Sequence, residues 1–318
     1  MTKPVIGVSI QAPDSPAAVE QIKQAEAAGI AAAWATIGGA GGADVMTAFA
    51  VALEQTQHIL LGTAIVQTWP RHAITLAQQT VALEQFGPGR FRLGIGPAHK
   101  GNMTSSYGYD FAAPLTNLKE YLTVLRSLLH EGEVDFEGRH VTARSRIRTP
   151  VQTPIMASAL RPRSFEVCGE LSDGAISWMC PRQYLVDEAL PALRHGAEAA
   201  GRETPPLVAH VPIAVNEHRA AVRDLARTQL GFYGGTPFYA AMFERAGFPN
   251  TGDGYSDELL DDLVISGSED EVVAGLAALA EAGMGELLAA PLIDPDDREG
   301  SIAASFAAIG RASKELGS

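Results

Sequence analysis

Two segments of the chain decide its fold: LLGTAIVQ at residues 60–67 and RFRLGIGPAHK at residues 90–100. Each begins as a short apolar run, which is typical of a strand buried on both faces of a parallel sheet, and then changes to small and polar residues. Between them lies an amphipathic stretch, His72–Phe86, which the turn Gly87-Pro88-Gly89 closes. The pattern predicts one β-α-β unit whose two polar strand ends face the same way, and in β/α barrels the chemistry occurs at that carboxyl end.

The same alternation of strand and helix patterns continues along the 318 residues. The predicted strands are Val5–Ile10, Ala31–Ala35, a strand that ends near Val66, Phe91–Ile95, Ile155–Ala159, Gly174–Ser177, Leu207–Val215 and Glu286–Ala290. The predicted helices are Pro16–Ala28, Asp44–Gln55, His72–Phe86, Asn117–Leu129, Arg163–Leu171, Gln183–Ala200, His218–Phe232, Glu269–Ala282 and Ser301–Leu316. Strands that alternate with helices in this number predict an α/β fold, a (β/α)8 TIM barrel, as a single domain over residues 1–318.

Two segments depart from this alternation. Residues Glu133–Thr149 are polar and β-branched, which predicts a small hairpin. Residues 232–264, before the eighth strand, hold no clear strand and are rich in aromatic residues, namely Phe232, Tyr233, Phe238, Tyr239, Phe243, Phe248 and Tyr255. Two interpretations of this insertion stay open: a helix pair that packs on the barrel wall, or an aromatic lid or pocket wall over the barrel mouth, because long excursions often carry function.

Composition excludes several classes of partner. The chain is 46% hydrophobic, which is enough for a sizeable core, and its formal net charge is −13. An acidic surface repels nucleic acid and anionic membranes, so we expect neither as a partner. No apolar run approaches the roughly 20 residues that span a membrane, and no signal peptide precedes Val5–Ile10. The two cysteines, Cys168 and Cys180, have no metal-ligand spacing, so we expect reduced thiols in a cytoplasmic protein.

Most familiar catalytic motifs are absent from the sequence. There is no phosphate-binding loop of the Walker type, no nucleophile elbow and no H-E-x-x-H motif. The end of the first strand, Ser9-Ile10-Gln11, lacks the histidine pair of the barrel metallohydrolases, and the eight histidines form no ligand set, so no metal site is predicted. The glycine-rich residues 38–42 favour a flexible loop after the second strand over a phosphate cradle.

Several motifs resemble the bacterial luciferase-like superfamily of flavin and deazaflavin oxidoreductases. LGTAIV at 61–66, PGRFRLGIG at 88–96 and the strand end with His99 carry the resemblance. PIMASALRP at 154–162, followed by CGELSDG at 168–174, resembles the family's cofactor-phosphate strand and helix end. The similarity covers nearly the whole chain. The strand end GIGPAHK is most similar to the actinobacterial branch that uses the deazaflavin coenzyme F420.

The resemblance places a cofactor site on the third and fourth strands. Members of the family carry a non-proline cis peptide at the end of the third strand, which here falls on Ala64–Ile65, and its bulge would press against the middle ring of the cofactor. At the fourth strand the deazaflavin sugar-phosphate dehydrogenases have a glutamate and, three residues on, an asparagine. This chain has His99 and Asn102 there, so His99 is the candidate catalytic acid–base group, with an orienting role as the alternative, and Asn102 would bind the polar edge of the ring.

The resemblance also implies sites for phosphate and substrate. The fifth strand end, Ser158-Ala159-Leu160-Arg161, would supply backbone N–H groups to the cofactor phosphate, with Arg161 adding charge. Where the sugar-phosphate dehydrogenases hold a substrate phosphate, this chain has Trp178 and Met179, which favours an apolar or aromatic substrate. Further candidates at the mouth are Gln67 for the cofactor and Thr36 and Trp69 for the substrate.

The sequence as a whole therefore predicts an oxidoreductase that uses coenzyme F420 and transfers hydride between cofactor C5 and a small, largely apolar organic molecule. The alternatives are an FMN-dependent luciferase-like monooxygenase and a flavin-binding barrel without turnover; a metal-dependent barrel hydrolase is disfavoured by the missing histidine pair. Relatives are often homodimers, and by analogy we expect a homodimer here.

Overall fold

Eight parallel strands close into a barrel in this computed structural model, which describes residues 3–37 and 42–317. The barrel strands are β1 (Val5–Ser9), β2 (Ala32–Ala35), β3 (Leu60–Thr63), β4 (Phe91–Gly96), β5 (Ile155–Ser158), β6 (Gly174–Trp178), β7 (Leu207–Val215) and β8 (Glu286–Pro291). Each pairs in parallel with the next, and β8 pairs with β1 and so closes the ring. The predicted (β/α)8 fold is confirmed.

Helices surround the barrel close to their predicted positions. The α-helices are Ser15–Ala27, Val45–Gln55, Ala73–Phe86, Lys100–Ser105, Pro114–Arg126, Pro162–Leu171, Arg182–Tyr184, Leu190–Ala199, Arg219–Leu230, Pro237–Arg245, Asp257–Leu263, Glu269–Glu281 and Arg298–Leu316. Single π-helical turns, Ser127–Glu131 and Leu185–Ala189, continue two of them. The short helix Lys100–Ser105 after β4 was not predicted, because its six residues are too few to show a helical period.

The two irregular segments take different forms. The predicted hairpin is confirmed, with Glu133–Glu137 antiparallel to Thr142–Arg146. The aromatic insertion consists of two single-turn 3₁₀ helices, Gly231–Gly235 and Thr251–Asp253, and the short helices Pro237–Arg245 and Asp257–Leu263. A further strand, Ile265–Gly267, then pairs with β7. Of the glycine-rich stretch 38–42, residues 38–41 lie outside the described part of the chain.

Trp34 fills the middle of the barrel. It is completely buried in a cluster that projects from the strands into the lumen, together with Ala32, Met156, Ile176, Val208 and Leu288. The strands on either side of β2 leave room for it with glycines: a Cβ on Gly62 would lie 2.3 Å from Trp34 Cε3, and one on Gly7 would lie 3.0 Å from Trp34 Cδ1. The indole therefore depends on small residues at both neighbouring positions.

A buried ion pair lies beside Trp34, towards the amino ends of the strands. Arg92, the second residue of β4, and Glu286, the first residue of β8, face each other in a two-pronged contact with both N–O distances 2.5 Å. Arg92 Cζ lies 5.0 Å from the centroid of the Trp34 ring. Glu286 is 1% exposed; burial raises the pKa of its carboxyl group, and the attraction of Arg92 opposes that rise. Together the pair and the indole close this half of the lumen.

Removing one member of the pair should cost far more stability than removing both. Glu286→Leu leaves the Arg92 charge buried without its partner, so we expect a loss of about 3–5 kcal/mol in the free energy of unfolding. The double variant Arg92→Met/Glu286→Leu should regain most of that loss, as measured by urea denaturation. If the stability losses of the two single variants simply add up in the double variant, the side chains are not directly coupled.

Candidate active site at the carboxyl end of the barrel

At the end of β3, side-chain hydrogen bonds take the place of some of the backbone hydrogen bonds of the sheet. The Thr63 hydroxyl donates to Gly94 O (2.8 Å) and accepts from Gly94 N–H (2.9 Å). The next peptide, Ala64–Ile65, is cis, which confirms the sequence prediction. Thr36 donates its hydroxyl to Ala64 O (2.7 Å), and Ala64 N–H donates to Ala35 O (2.9 Å), so the bulge is anchored to β2 and to the residue that follows it.

Three strand ends converge behind this bulge. After the cis peptide the chain pairs again with β4 through Val66 and Gln67. A Cβ on Gly96 would lie 2.2 Å from Ser158 Oγ and 3.1 Å from Ile65 Cγ1, so the end of β4 has room only for hydrogen at that position. The structure thus brings together Ile65 and Ser158, two of the predicted cofactor-binding residues, because Gly96 has no side chain to keep them apart.

Alanine substitutions at Gly96 and Gly94, the two glycines of β4, should distinguish a contact with a side chain that can move from a contact with fixed backbone. Gly96→Ala forces Ser158 to move and should cost about 1–3 kcal/mol of stability, most of which the double variant Gly96→Ala/Ser158→Ala should restore. Gly94→Ala is the matched control, because its Cβ would lie 1.9 Å from the backbone Thr63 O, which has no side-chain freedom. Ser158→Ala should not rescue it. Thermal unfolding of the four variants measures both effects, and rescue of Gly94→Ala would contradict this account.

The end of β5 differs from its prediction in one respect. The N–H groups expected to bind phosphate already have partners: Ala159 N–H donates to Ile176 O (2.9 Å), and the N–H groups of Leu160 and Arg161 both donate to Ser164 Oγ (3.0 Å each). Ser164 is the third residue of the helix Pro162–Leu171, and its hydroxyl accepts from these N–H groups just before the helix; the first helical residue, Pro162, has no N–H. Capture of a phosphate by this backbone is therefore not what the structure favours.

Side chains at the end of β5 remain available. The Ser158 hydroxyl makes no hydrogen bond within the described part of the chain, and there Arg161 forms no ion pair. Instead Arg161 Cζ lies 4.9 Å from the ring centroid of Phe238, an exposed residue of the insertion. The Tyr184 hydroxyl donates to Leu160 O (3.0 Å) and ties this segment to the helix behind it. The polar groups that this strand end offers to a ligand are thus a hydroxyl and a guanidinium.

His99 lies at the end of β4, against the aromatic insertion. It follows Ala98, whose φ of 60° is left-handed, and it precedes the helix Lys100–Ser105 without capping it through its side chain. Its ring centroid is 5.7 Å from that of Tyr233 and 6.0 Å from that of Tyr239, which is stacked on it. Burial among these rings lowers the pKa of His99 below its usual value near 6.5. Asn102 is one helical turn further on, on the same side of the short helix.

The insertion links His99 to the end of β6 and, through it, to the middle of β7. Tyr233 lies 6.0 Å from Trp178 between ring centroids, and Trp178 lies 4.2 Å from His210. Residues 232–239 of the insertion match the interpretation as an aromatic wall over the strand ends. Phe243 and Tyr255, by contrast, are buried in the core. The wall joins the predicted acid–base residue to a predicted pocket residue.

The sequence analysis missed three residues of this cluster: Tyr233 and Tyr239 as individual contacts of His99, and His210 altogether. His210 is the one polar side chain in the nine-residue strand β7, LVAHVPIAV. A polar residue in an otherwise apolar strand was the signal that could have identified it. It is 7% exposed, and its Nε2 has no hydrogen-bond partner among the described residues. Burial lowers the pKa of His210 to about 3, so the imidazole is neutral at physiological pH.

Other predicted site residues lie apart from this cluster. Met179, with a left-handed φ of 53°, is fully buried in the main hydrophobic core, so its side chain is not presented at the mouth. Trp69 contacts a second group of rings, Tyr109, Phe111 and His140. Gln67 is buried. Burial raises the pKa of the Cys180 thiol to about 12, which agrees with the expected ordinary thiol.

Two classes of site are not found in the described part of the chain. No group of three or more His, Cys, Asp or Glu residues there could hold a metal ion. Nor does that part contain a helix with both the length and the apolar character needed to cross a bilayer.

The model of the luciferase-like monooxygenase family matches residues 3–286, and the chain belongs to that family. A putative coenzyme F420-dependent oxidoreductase of Mycobacterium tuberculosis is 26% identical over 287 residues, which cover 76% of this chain and 82% of that protein. An uncharacterized protein of the same organism is 28% identical over 217 residues, and the match spans 62% of this chain and only 63% of that relative.

Solved structures share the fold. The coenzyme F420-dependent tetrahydromethanopterin reductase from Methanopyrus kandleri superposes with a TM-score of 0.81 at 22% identity, over 98% of both chains. The oxygenating component of 3,6-diketocamphane monooxygenase from Pseudomonas putida, solved with FMN, superposes with a TM-score of 0.72 at 17% identity, over 99% of this chain and 98% of that one. The barrel is thus common to enzymes of both cofactors.

Proposed function

We propose that the chain is a coenzyme F420-dependent oxidoreductase that transfers hydride between the cofactor and a small, largely apolar organic substrate. The observation that carries the proposal is the position of His99, a partly buried imidazole at the end of β4 against a wall of aromatic rings. The similarity to a putative F420-dependent oxidoreductase supports this cofactor. When bound, the cofactor would supply hydride transfer at its C5, and the chain supplies position and proton chemistry.

The residues at the mouth fit a planar cofactor with a phosphate. The Ala64–Ile65 bulge, whose Ile65 side chain packs against Gly96, offers a surface against which a ring can lie. Asn102 and Gln67 carry amide groups for the polar edge of the ring. For the phosphate we propose the Ser158 hydroxyl and the Arg161 guanidinium in place of backbone N–H groups, because those N–H groups already have partners.

The substrate side of the proposed site is aromatic and uncharged. Trp178, Tyr233 and Tyr239 contact one another or His99 through their rings, and Phe232, 71% exposed, lies 6.2 Å from His99 between ring centroids. Such walls favour an apolar molecule over a phosphorylated sugar. In this setting His99 exchanges a proton with the substrate through an imidazole nitrogen, which remains neutral at pH 7 because burial lowers its pKa.

The pH dependence of turnover tests the role of His99. For substrate oxidation the imidazole must be neutral to accept the proton, so kcat/KM should rise with pH through an apparent pKa below about 6.5 and then stay constant. For reduction the protonated form is required, so kcat/KM should fall with rising pH through the same pKa. His99→Gln keeps hydrogen bonding but cannot exchange the proton, and should lower turnover by roughly 10²-fold, remove this limb and leave F420 affinity nearly unchanged. A Gln variant that keeps most of its activity would show that His99 only orients its ligands.

Titration of the purified protein with F420 and with FMN, followed by fluorescence, tests the cofactor and the Arg161 contact together. Arg161→Ala should weaken F420 binding about 10-fold or more, since a charge-assisted hydrogen bond contributes roughly 1.5–3 kcal/mol. Arg163→Ala is the matched control: Arg163 is two residues away and exposed, and it pairs with Glu166 at 2.6 Å. Equal losses in the two variants would indicate a general effect of charge. Tight binding of FMN with no binding of F420 would favour the second candidate, an FMN-dependent monooxygenase like the diketocamphane enzyme.

A further inference from the structure

We propose that His210 is the residue that recognises the substrate, by a hydrogen bond between its buried imidazole and a single carbonyl or hydroxyl oxygen on an otherwise apolar molecule. This inference rests on the proposed oxidoreductase function and narrows its substrate to neutral ketones, aldehydes and alcohols.

Strand geometry places His210 in the lumen. Side chains alternate along β7, and Val208 belongs to the lumen cluster, whereas Leu207, Ala209 and Val211 pack in the core between barrel and helices. His210 therefore points inward, one step nearer the carboxyl end than Val208. In the sheet register it lies opposite Trp178 on β6 and Leu288 on β8. Its ring is thus in the lumen beside Leu288 of the packed cluster, and Trp178 contacts both this ring and Tyr233 of the insertion.

The imidazole has no structural role that its contacts explain. Buried polar groups nearly always have hydrogen-bond partners, and a buried donor or acceptor without one is costly. His210 is 7% exposed, yet its Nε2 has no partner among the described residues. The Trp178 ring, 4.2 Å away between centroids, packs against it and supplies apolar contact. A group of this kind inside a mouth formed by strand ends is expected where a ligand supplies the missing partner.

The environment also selects the chemistry of that partner. Because burial keeps the imidazole neutral, His210 offers a hydrogen bond without charge, which suits an uncharged oxygen and gives little attraction for a carboxylate or a phosphate. The rings that connect it to His99, Trp178 and Tyr233, carry no charged group. The two histidines therefore have separate tasks: His99 exchanges the proton, and His210 fixes the oxygen that gains or loses it.

The first experiment needs no ligand. If His210 has no partner in the free protein, His210→Leu should raise the Tm at pH 8 by about 2–4 °C, as expected for removal of a small destabilising term in a domain of this size. His130→Leu is the matched control, since His130 Nε2 does have a partner, Thr153 O at 3.0 Å, and its Tm should fall. A Tm of His210→Leu that is unchanged or lower would show a stabilising contact and overturn the proposal.

The second experiment uses cyclohexanone as the neutral probe and cyclohexanecarboxylate as the charged one. In the protein with F420 bound, cyclohexanone should shift the side-chain ¹⁵N resonances of His210, and cyclohexanecarboxylate should not. His210→Leu should weaken cyclohexanone binding at least tenfold and His210→Asn less, with F420 affinity within twofold of the parent in both. Equal losses of F420 and cyclohexanone affinity, or no shift with the ketone, would overturn the proposal. Failure of F420 to bind any variant, including the parent, would instead overturn the proposed function, while the Tm result on His210 would stand.

Discussion

The filling of the barrel lumen is the constraint on which the rest of the structure depends. Trp34 occupies the middle of the barrel only because Gly7 and Gly62 on the neighbouring strands have no side chains. Next to it, Arg92 and Glu286 bridge β4 and β8 with a buried ion pair. Nothing of ligand size can therefore enter from the amino ends of the strands, and the carboxyl ends are left as the place where side chains meet an open space.

Small residues at those carboxyl ends shape the site as much as the reactive ones do. Gly94 admits the Thr63 carbonyl, and Gly96 admits both Ser158 and Ile65. The larger side chains come from outside the barrel: the insertion after β7 brings Tyr233 and Tyr239 to His99. A rigid floor made by the strands and a wall made by an excursion is a common arrangement in enzymes of this fold, because loops can change while the floor is preserved.

The sequence predicted the barrel well, because buried parallel strands appear as short apolar runs and their spacing alone gives the order. Its pattern also predicted the hairpin 133–149, and the resemblance to the family located the cis peptide at Ala64–Ile65. Contacts between distant residues were beyond it. The hydroxyl of Ser164 takes the N–H groups at the end of β5, and no local pattern reveals that competition. Likewise Met179 and Trp178 are neighbours in sequence, yet Trp178 contacts His210 and Tyr233, whereas Met179 is buried in the main core.

The Arg92–Glu286 pair has a consequence for the order in which the protein is made. The two residues are 194 positions apart, so on the ribosome the guanidinium leaves the exit tunnel long before its carboxylate exists. Until β8 is synthesised, a growing chain that packed Trp34 would have to bury a charge with no counter-ion, or leave that half of the sheet open to water. Closure of the barrel is thereby tied to the synthesis of β8, and until then the growing chain exposes unpaired strand edges.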